Sequence, residues 1–268
     1  MMEREQARLN ETIRRAGARA MELARRGFDV RLKHDRSPVT TADLEVNRLL
    51  HEMRRDHFPE DGWLSEESPD DGARLAQRRV WIVDPIDGTR AYVNRLPEFC
   101  ISVALVEQGK PVLAAIFNPS TDELFTAVRG ESLLLNGKPL PRAPSPETPS
   151  LVMVSPREFR NARWAGLEGL VRCRPMLSIA NALALVAAGR VQATLTIEPE
   201  NEWDLAAGVL LIEESGGSVA DAEGRPFTFN QPTPQFRGVI AVAASAGREL
   251  RPLLQAHADR ADAQKDYS

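Results

Sequence analysis

Val80-Trp81-Ile82-Val83 is an unbroken apolar run that ends on an acid, Asp84. A strand without polar alternation is buried on both faces, so the sheet that holds it has no face to give to water. The chain beyond reads as more sheet. Residues 99–107 and 111–117 are strands joined by Gln108-Gly109-Lys110, a hairpin signal, and Asn136-Gly137 marks another tight turn. Helices come first. Leu9, Ile13, Ala16, Ala20 and Leu23 recur at helical spacing from residue 3 to 26, with Gly27 as the stop. A second helix opens near Thr41, with Thr40 or Thr41 as cap and Val46, Leu49, Leu50 and Met53 as its buried stripe. Residues 33–38 and the acidic stretch 59–71 read as loops. Further on, strands near 151–154, 191–197 and 239–243 alternate with helices near 179–188, 204–214 and 248–256. In the helix from Asp204, Leu205, Val209 and Ile212 share one face, and Gly216-Gly217 ends it. The class is α/β.

At 268 residues the chain fits one compact unit with two lobes around a shared cleft, about 1–140 and about 150–258. Pro139, Pro141, Pro144, Pro146 and Pro149 suggest an extended connector between them, and the polar residues 259–268 a frayed tail. The net charge is -4, with no basic stretch interleaved with aromatics, which argues against a nucleic-acid partner. No apolar run approaches the roughly 18–20 residues of a membrane span. Met1-Met2-Glu3-Arg4-Glu5-Gln6 lacks a signal peptide's apolar core. Cys100 and Cys173 are far apart and form no CxxC, which suits two buried thiols in a reducing cytoplasm; a single disulfide is the alternative. A small soluble metabolite is the expected partner.

The chemistry concentrates in Asp84-Pro85-Ile86-Asp87-Gly88-Thr89. Asp84 leaves a buried strand, Pro85 holds it extended, and Asp87 follows three residues later, so both carboxylates can turn to one point. Gly88 clears the approach to a backbone turn whose Gly88 and Thr89 amides can face an anion. Two acids beside an anion-binding turn call for a cation between them, and Mg2+ takes a few carboxylates plus phosphate oxygens and water. Alone, such a turn can simply satisfy its own backbone. Glu66-Glu67 alone could be solvated surface acids, and Asp204 alone a charge placed for the helix N-terminus, worth a few tenths to about 1 kcal/mol. His34, His51, His57 and His257 show no ligand spacing, which argues against zinc.

Glu66-Glu67, then Asp84 through Thr89, then Trp203-Asp204-Leu205-Ala206-Ala207-Gly208, in that order, resembles the inositol monophosphatase superfamily. The likeness spans the chain from Lys33 to Gly217. It implies the layered α-β-α-β-α sandwich of the inositol monophosphatase and fructose-1,6-bisphosphatase type. It also implies phosphate monoester hydrolysis with two or three Mg2+ ions, Mn2+ as a substitute, lithium sensitivity and, by analogy, a homodimer. Carried over by residue, Glu66, Asp84 and the Ile86 carbonyl would hold the ion that activates water. Asp84, Asp87 and Asp204 would hold a second ion, and Glu66 would help a weaker third. Thr89 with Asp43 would orient the water, making Asp43, Thr89 and Glu66 the catalytic set. Asp87, Gly88, Thr89, Arg90 and Ser178 would contact substrate.

On substrate the residues divide. Arg90, directly after Asp-Gly-Thr, is similar to the 3'(2'),5'-bisphosphate nucleotidase branch, where a second basic group suits a second phosphate. Inositol phosphatases usually carry Glu seven residues before the Trp-Asp aspartate, where this chain has Ile197, although Glu198 and Glu200 are near. Leu177, Ala182 and Gln192 depart from the family pattern and weaken the nucleotidase assignment. The expectation is thus a bisphosphate nucleotidase first, then a phosphatase of inositol or another sugar-like phosphate, histidinol phosphate included. A binding protein that has lost turnover is the remote rival.

Overall fold

The computed structural model describes residues 2–34, 36–140, 148–160, 167 and 169–265. Helix α1 (Glu3–Arg26) leads into a two-stranded hairpin of β1 (Val30–Leu32) and β2 (Pro38–Thr40), then helix α2 (Thr41–His57). A seven-stranded sheet follows in chain order: β3 (Gly62–Ser65), β4 (Arg79–Asp87), β5 (Cys100–Glu107), β6 (Lys110–Asn118), β7 (Glu123–Val128), β8 (Leu134–Leu135) and β9 (Lys138–Pro139). The short helix α3 (Thr89–Val93) leaves the end of β4. The second sheet is built from β10 (Ser150–Val154), β11 (Val171–Pro175), β12 (Ala193–Asn201), β13 (Ser218–Ala220) and β14 (Gln235–Val242), in the spatial order β11-β10-β12-β14-β13. Helices α4 (Pro156–Arg160), α5 (Ile179–Ala187), α6 (Glu202–Glu214) and α7 (Leu250–Lys265) complete the chain.

Strand β4 shows why these elements form layers. Its side chains alternate: Trp81 and Val83 pack with Leu9, Ile13, Val46 and Leu50 of α1 and α2, while Val80 and Ile82 pack with Leu183 of α5 and Leu205 and Val209 of α6. The second sheet repeats the arrangement. Met153, Val239 and Ala241 join the α5–α6 core, and Val152, Leu195 and Ile240 face Leu250 and Leu254 of α7. The sequence of layers is therefore α1/α2, seven strands, α5/α6, five strands, α7, the α-β-α-β-α sandwich that the motifs implied.

The middle layer explains a departure from the sequence reading. Between two sheets α6 has no wet side, so Ala206, Ala207, Leu210 and Leu211 are buried along with the expected Leu205, Val209 and Ile212. Gly208 lets α5 and α6 close up, because a Cβ there would stand 2.4 Å from Leu183 Cδ1.

Other departures follow from weak local signals. Strands β1 and β2, with all of β1 exposed, flank the polar stretch read as a loop at 33–38 and were not themselves read. Strand β3 lies inside the stretch read as a turn-rich loop, with only four residues. Helix α7 runs on to Lys265, through part of the tail expected to fray, because Leu254, His257 and Ala258 still bury a face. Pro139 closes β9, so the proline connector starts later than expected; Pro141, Pro144 and Pro146 lie outside the described residues. Both cysteines are free thiols, Cys100 buried and Cys173 only partly so. No helix among the described residues is long and apolar enough to cross a membrane.

Candidate metal centre

Asp84 and Asp87 meet because β4 is bulged. Asp84 pairs with Ser102 and Asp87 with Cys100, so three steps on β4 oppose two on β5. Residues three apart on a regular strand face opposite sides; the extra residue restores the phase and turns both carboxylates toward α6. Pro85, which has no ladder N–H to lose, sits within the bulge. Asp84 Oδ1 accepts from the Ile86 amide at 3.0 Å, which fixes the bend.

Asp204 arrives from the other side. It is the third residue of α6, not the first as the sequence suggested, and its Oδ2 accepts from the Asn201 amide at 2.8 Å in a capping box. Oxygens of Asp84, Asp87 and Asp204 lie within 4.8 Å of one another. At that spacing two unit charges repel by roughly 3 kcal/mol at an effective dielectric of 20. That exceeds the ~1 kcal/mol that helix-end complementarity can return to Asp204. Capping alone therefore does not account for the cluster.

The remaining contacts buttress it. Asp87 Oδ2 accepts from Ser178 Oγ and from the Ala180 amide, both at 2.6 Å, at the start of α5. Ser178 Oγ in turn accepts from the Asn181 amide at 3.1 Å. Thr40 caps α2 and donates from N and Oγ1 to Asp43 Oδ2, at 2.8 and 2.5 Å. Thr89 Oγ1 lies 3.1 Å from both Asp43 Oδ1 and the Ile86 carbonyl, so its single proton is shared between two acceptors. Gly88 has φ +89°, and a Cβ there would meet the carbonyls of Glu98 at 2.9 Å and Leu177 at 3.1 Å, so both conformation and space demand glycine. Lys33, on the β1–β2 turn, donates to Glu66 at 2.7 Å and to Glu67 at 2.6 Å.

Electrostatics follows burial. Desolvation, then the charges of Glu66, Asp87 and Asp204, pushes Asp84 well above the usual carboxylate range. Burial, then Asp87 and Glu66, does the same to Asp204. Asp87 is pushed up to about 6 by burial, held back by the Ser178 and Ala180 hydrogen bonds. Asp43 and Glu67 are raised by burial as well, against Thr40 and Lys33 respectively. Such a pocket holds protons when empty and has the hard, all-oxygen donor set that Mg2+ prefers.

Of the residues expected at the site, Asp84, Asp87 and Asp204 converge, with Ile86, Gly88, Thr89 and Asp43 against them. Glu66 stands outside the tight trio, drawn to Lys33, though its charge still raises Asp84 and Asp204. Ser178 departs from its expected substrate contact: it is buried and spends its hydroxyl on Asp87. Arg90 is exposed on α3. Sequence reading gave no role to Lys33 and noted Glu200 only for its proximity. The Glu200 carboxyl, bonded to Thr196, is raised well above the usual range by burial and then by Asp204 and Asp87. A second bulge, between Thr196 and Pro199 on β12, brings it there. Gly238 opposite permits that bulge, since a Cβ would lie 2.1 Å from the Thr196 carbonyl. A glycine facing a Pro-containing strand was its one sequence signal.

Comparison with known proteins agrees with this geometry. Residues 2–261 match the profile of the inositol monophosphatase family. The chain is 38% identical to the inositol-1-monophosphatase of Rhizobium meliloti, covering 74% of this chain and 77% of that one. It is 31% identical to the 3'(2'),5'-bisphosphate nucleotidase CysQ of Escherichia coli, over 82% and 91%. Among solved structures, Thermotoga maritima IMPase superposes with a TM-score of 0.82 at 27% identity, covering 98% of this chain and 99% of that one.

Proposed function

The chain belongs to the inositol monophosphatase family, whose members are metal-dependent phosphoric monoester hydrolases, and we propose that it uses Mg2+ to hydrolyse the phosphate of a small alcohol bearing further hydroxyl or ammonium groups. The observation that carries the substrate class is Glu200. It is a carboxylate beyond the Asp84–Asp87–Asp204 trio, close enough to Asp204 and Asp87 to share their charge. A hydroxyl or ammonium on the leaving group would satisfy it, whereas a second phosphate would be repelled. This favours the inositol and histidinol phosphate side of the expectation over the bisphosphate nucleotide. Arg90 favours the nucleotide, as an exposed guanidinium one residue past Thr89.

The donor set fits the cation: Asp84, Asp87 and Asp204 as the inner trio, with Glu66 and the Ile86 carbonyl beside them. When bound, divalent ions supply charge neutralisation at the phosphate and make a water more acidic. The chain's own groups do the rest. With its proton directed to Asp43, Thr89 Oγ1 presents lone pairs that can accept from an attacking water and hold it in line. The buried Asp43 carboxyl, already raised, is suited to receive that proton. The amides of Gly88 and Thr89 offer donors to the phosphate oxygens. Ser178 and Ala180 hold Asp87 from behind and are positioning groups.

Phosphate release from inositol 1-phosphate, histidinol phosphate, fructose 1,6-bisphosphate and 3'-phosphoadenosine 5'-phosphate, with and without Mg2+, tests the reading. We expect Mg2+-dependent turnover with the highest kcat/KM on inositol or histidinol phosphate. Glu200→Gln should cut that value by about tenfold or more, as losing a hydrogen-bonded charged partner does, and raise the nucleotide rate, because the charge that repels a second phosphate is gone. Turnover strongest on the nucleotide would overturn the substrate class and pass specificity to Arg90.

A further inference from the structure

Arg74 is nearly sealed from solvent, its side chain 1% exposed, on the short 3-10 helix Ala73–Ala76 between β3 and β4. All three guanidinium nitrogens are engaged. Nε and Nη2 hold Asp70 at 2.9 to 3.1 Å, Nη1 donates to Asn230 Oδ1 at 2.7 Å, and Nη2 also donates to the Gln231 carbonyl at 2.9 Å. The backbone amides of Asn230 and Gln231 donate in turn to the two oxygens of Glu202, at 2.7 and 2.8 Å. Glu202 is fully buried and opens α6, two residues before Asp204. The Glu202 amide donates to the Pro234 carbonyl at 3.0 Å, closing a ring of contacts between the 230–234 loop and the first turn of α6.

We infer that Arg74, Asn230 and Glu202 form a latch that sets where Asp204 stands relative to Asp84 and Asp87, which makes Arg74 a positioning residue for metal binding. The inference rests on the reading that these aspartates hold Mg2+. The body of α6 is held by apolar packing, which is non-directional and fixes the helix axis better than its rotation or its position along that axis. Directional hydrogen bonds at the first turn fix the rest. Among the described residues three such anchors meet this turn: the latch, Ser102 Oγ, which donates to the Trp203 carbonyl at 3.2 Å, and the β12–β14 ladder, which ends on the Asn201–Gln235 pair at the helix cap. Of these, the latch is the one that joins the segment after Glu66–Glu67 to the turn that carries Asp204. Its energy is concentrated where it matters, since a buried guanidinium with a carboxylate partner makes stronger bonds than neutral pairs do.

Mg2+ binding to the full chain, followed by calorimetric titration and by the Mg2+ concentration that gives half of the thermal stabilisation, provides the test. In Arg74→Ala we expect that midpoint to rise by about tenfold, the size seen when groups that orient metal ligands are removed. Asn230→Gly keeps the left-handed backbone at φ 62° and the amide to Glu202, losing only the two side-chain bonds to Arg74, from its Nη1 and to its carbonyl. Its midpoint should rise by about threefold. A purely structural role predicts something else: a lower melting temperature for Arg74→Ala without Mg2+, and a midpoint within twofold of wild type. That result overturns the latch. Should Arg74→Ala fail to fold, an unchanged midpoint in Asn230→Gly overturns it equally. A wild type whose stability ignores Mg2+ overturns the metal reading itself, and the latch with it.

Discussion

Asp87→Asn will lose at least ~10³-fold in kcat, the scale of removing a group on which transition-state charge depends, yet its metal-free form will melt at or above the parent temperature. The two halves of this expectation have separate causes. Asn keeps a carbonyl oxygen, which can take the place of Asp87 Oδ2 and accept from Ser178 and Ala180, so the junction with α5 survives. What disappears is one negative charge from a trio packed within 4.8 Å, together with the Coulomb penalty it imposes on Asp84 and Asp204. Stability without metal should rise for that reason. Catalysis should collapse for the same reason, because the proposed site, short of one carboxylate, would hold divalent cations too weakly beside a phosphate dianion. Steady-state kinetics at saturating Mg2+ and a melting scan in chelator check both halves. Activity within tenfold of the parent sinks the role given to Asp87, and a melting point several degrees lower sinks the electrostatic account.

The acidic trio was legible in the sequence, Asp84 and Asp87 from short-range chemistry and Asp204 through the family resemblance that its Trp-Asp motif carries. An apolar strand, a proline and an Asp-Gly-Thr turn leave few ways to arrange Asp84 and Asp87, and Trp203-Asp204 marks a helix start. The bulge that makes the two acids face one way was implicit in their spacing of three. Helices α1 and α2 were legible because their apolar stripes are complete and Thr40 caps α2. What escaped depends on partners remote in sequence. Ser178 looked like a substrate contact, since nothing nearby in the chain shows that Asp87, 91 residues away, takes its hydroxyl. Arg74 carried no signal at all, because its acceptor Asn230 lies 156 residues further along the chain. Strands β1 and β3 are too short and irregular to carry a period, and only pairing reveals them. Glu200 needed the β12 bulge, which the run Thr196-Ile197-Glu198 does not announce and which only Gly238, on a strand some forty residues on, hints at.

Stability without metal should fall as pH rises from about 4 to 8, and Mg2+ should restore it increasingly over the same interval. Asp84, Asp87 and Asp204 each hold a proton more tightly in the folded chain than in the unfolded one. Their contribution is therefore complete below the ordinary value of 3.8 and lost as pH climbs through the folded values, about 6 for Asp87. A shift of that size is worth roughly 3 kcal/mol for Asp87 alone. Asp43 and Glu67 are raised too and steepen the decline, but they lie outside the trio. Asp70 works the other way, lowered first of all by its bond to Arg74, and being largely exposed it offsets little. Mg2+ competes with protons for the trio, so it gains little purchase at pH 5 and most at pH 8. At 2–4 °C per kcal/mol for a chain of this size, the Mg2+-induced rise in melting temperature should grow by about 6 °C or more between those two pH values. Asp87→Asn should flatten that growth. An increment equal at pH 5 and pH 8 would mean that the cation displaces no protons and binds somewhere other than Asp84, Asp87 and Asp204.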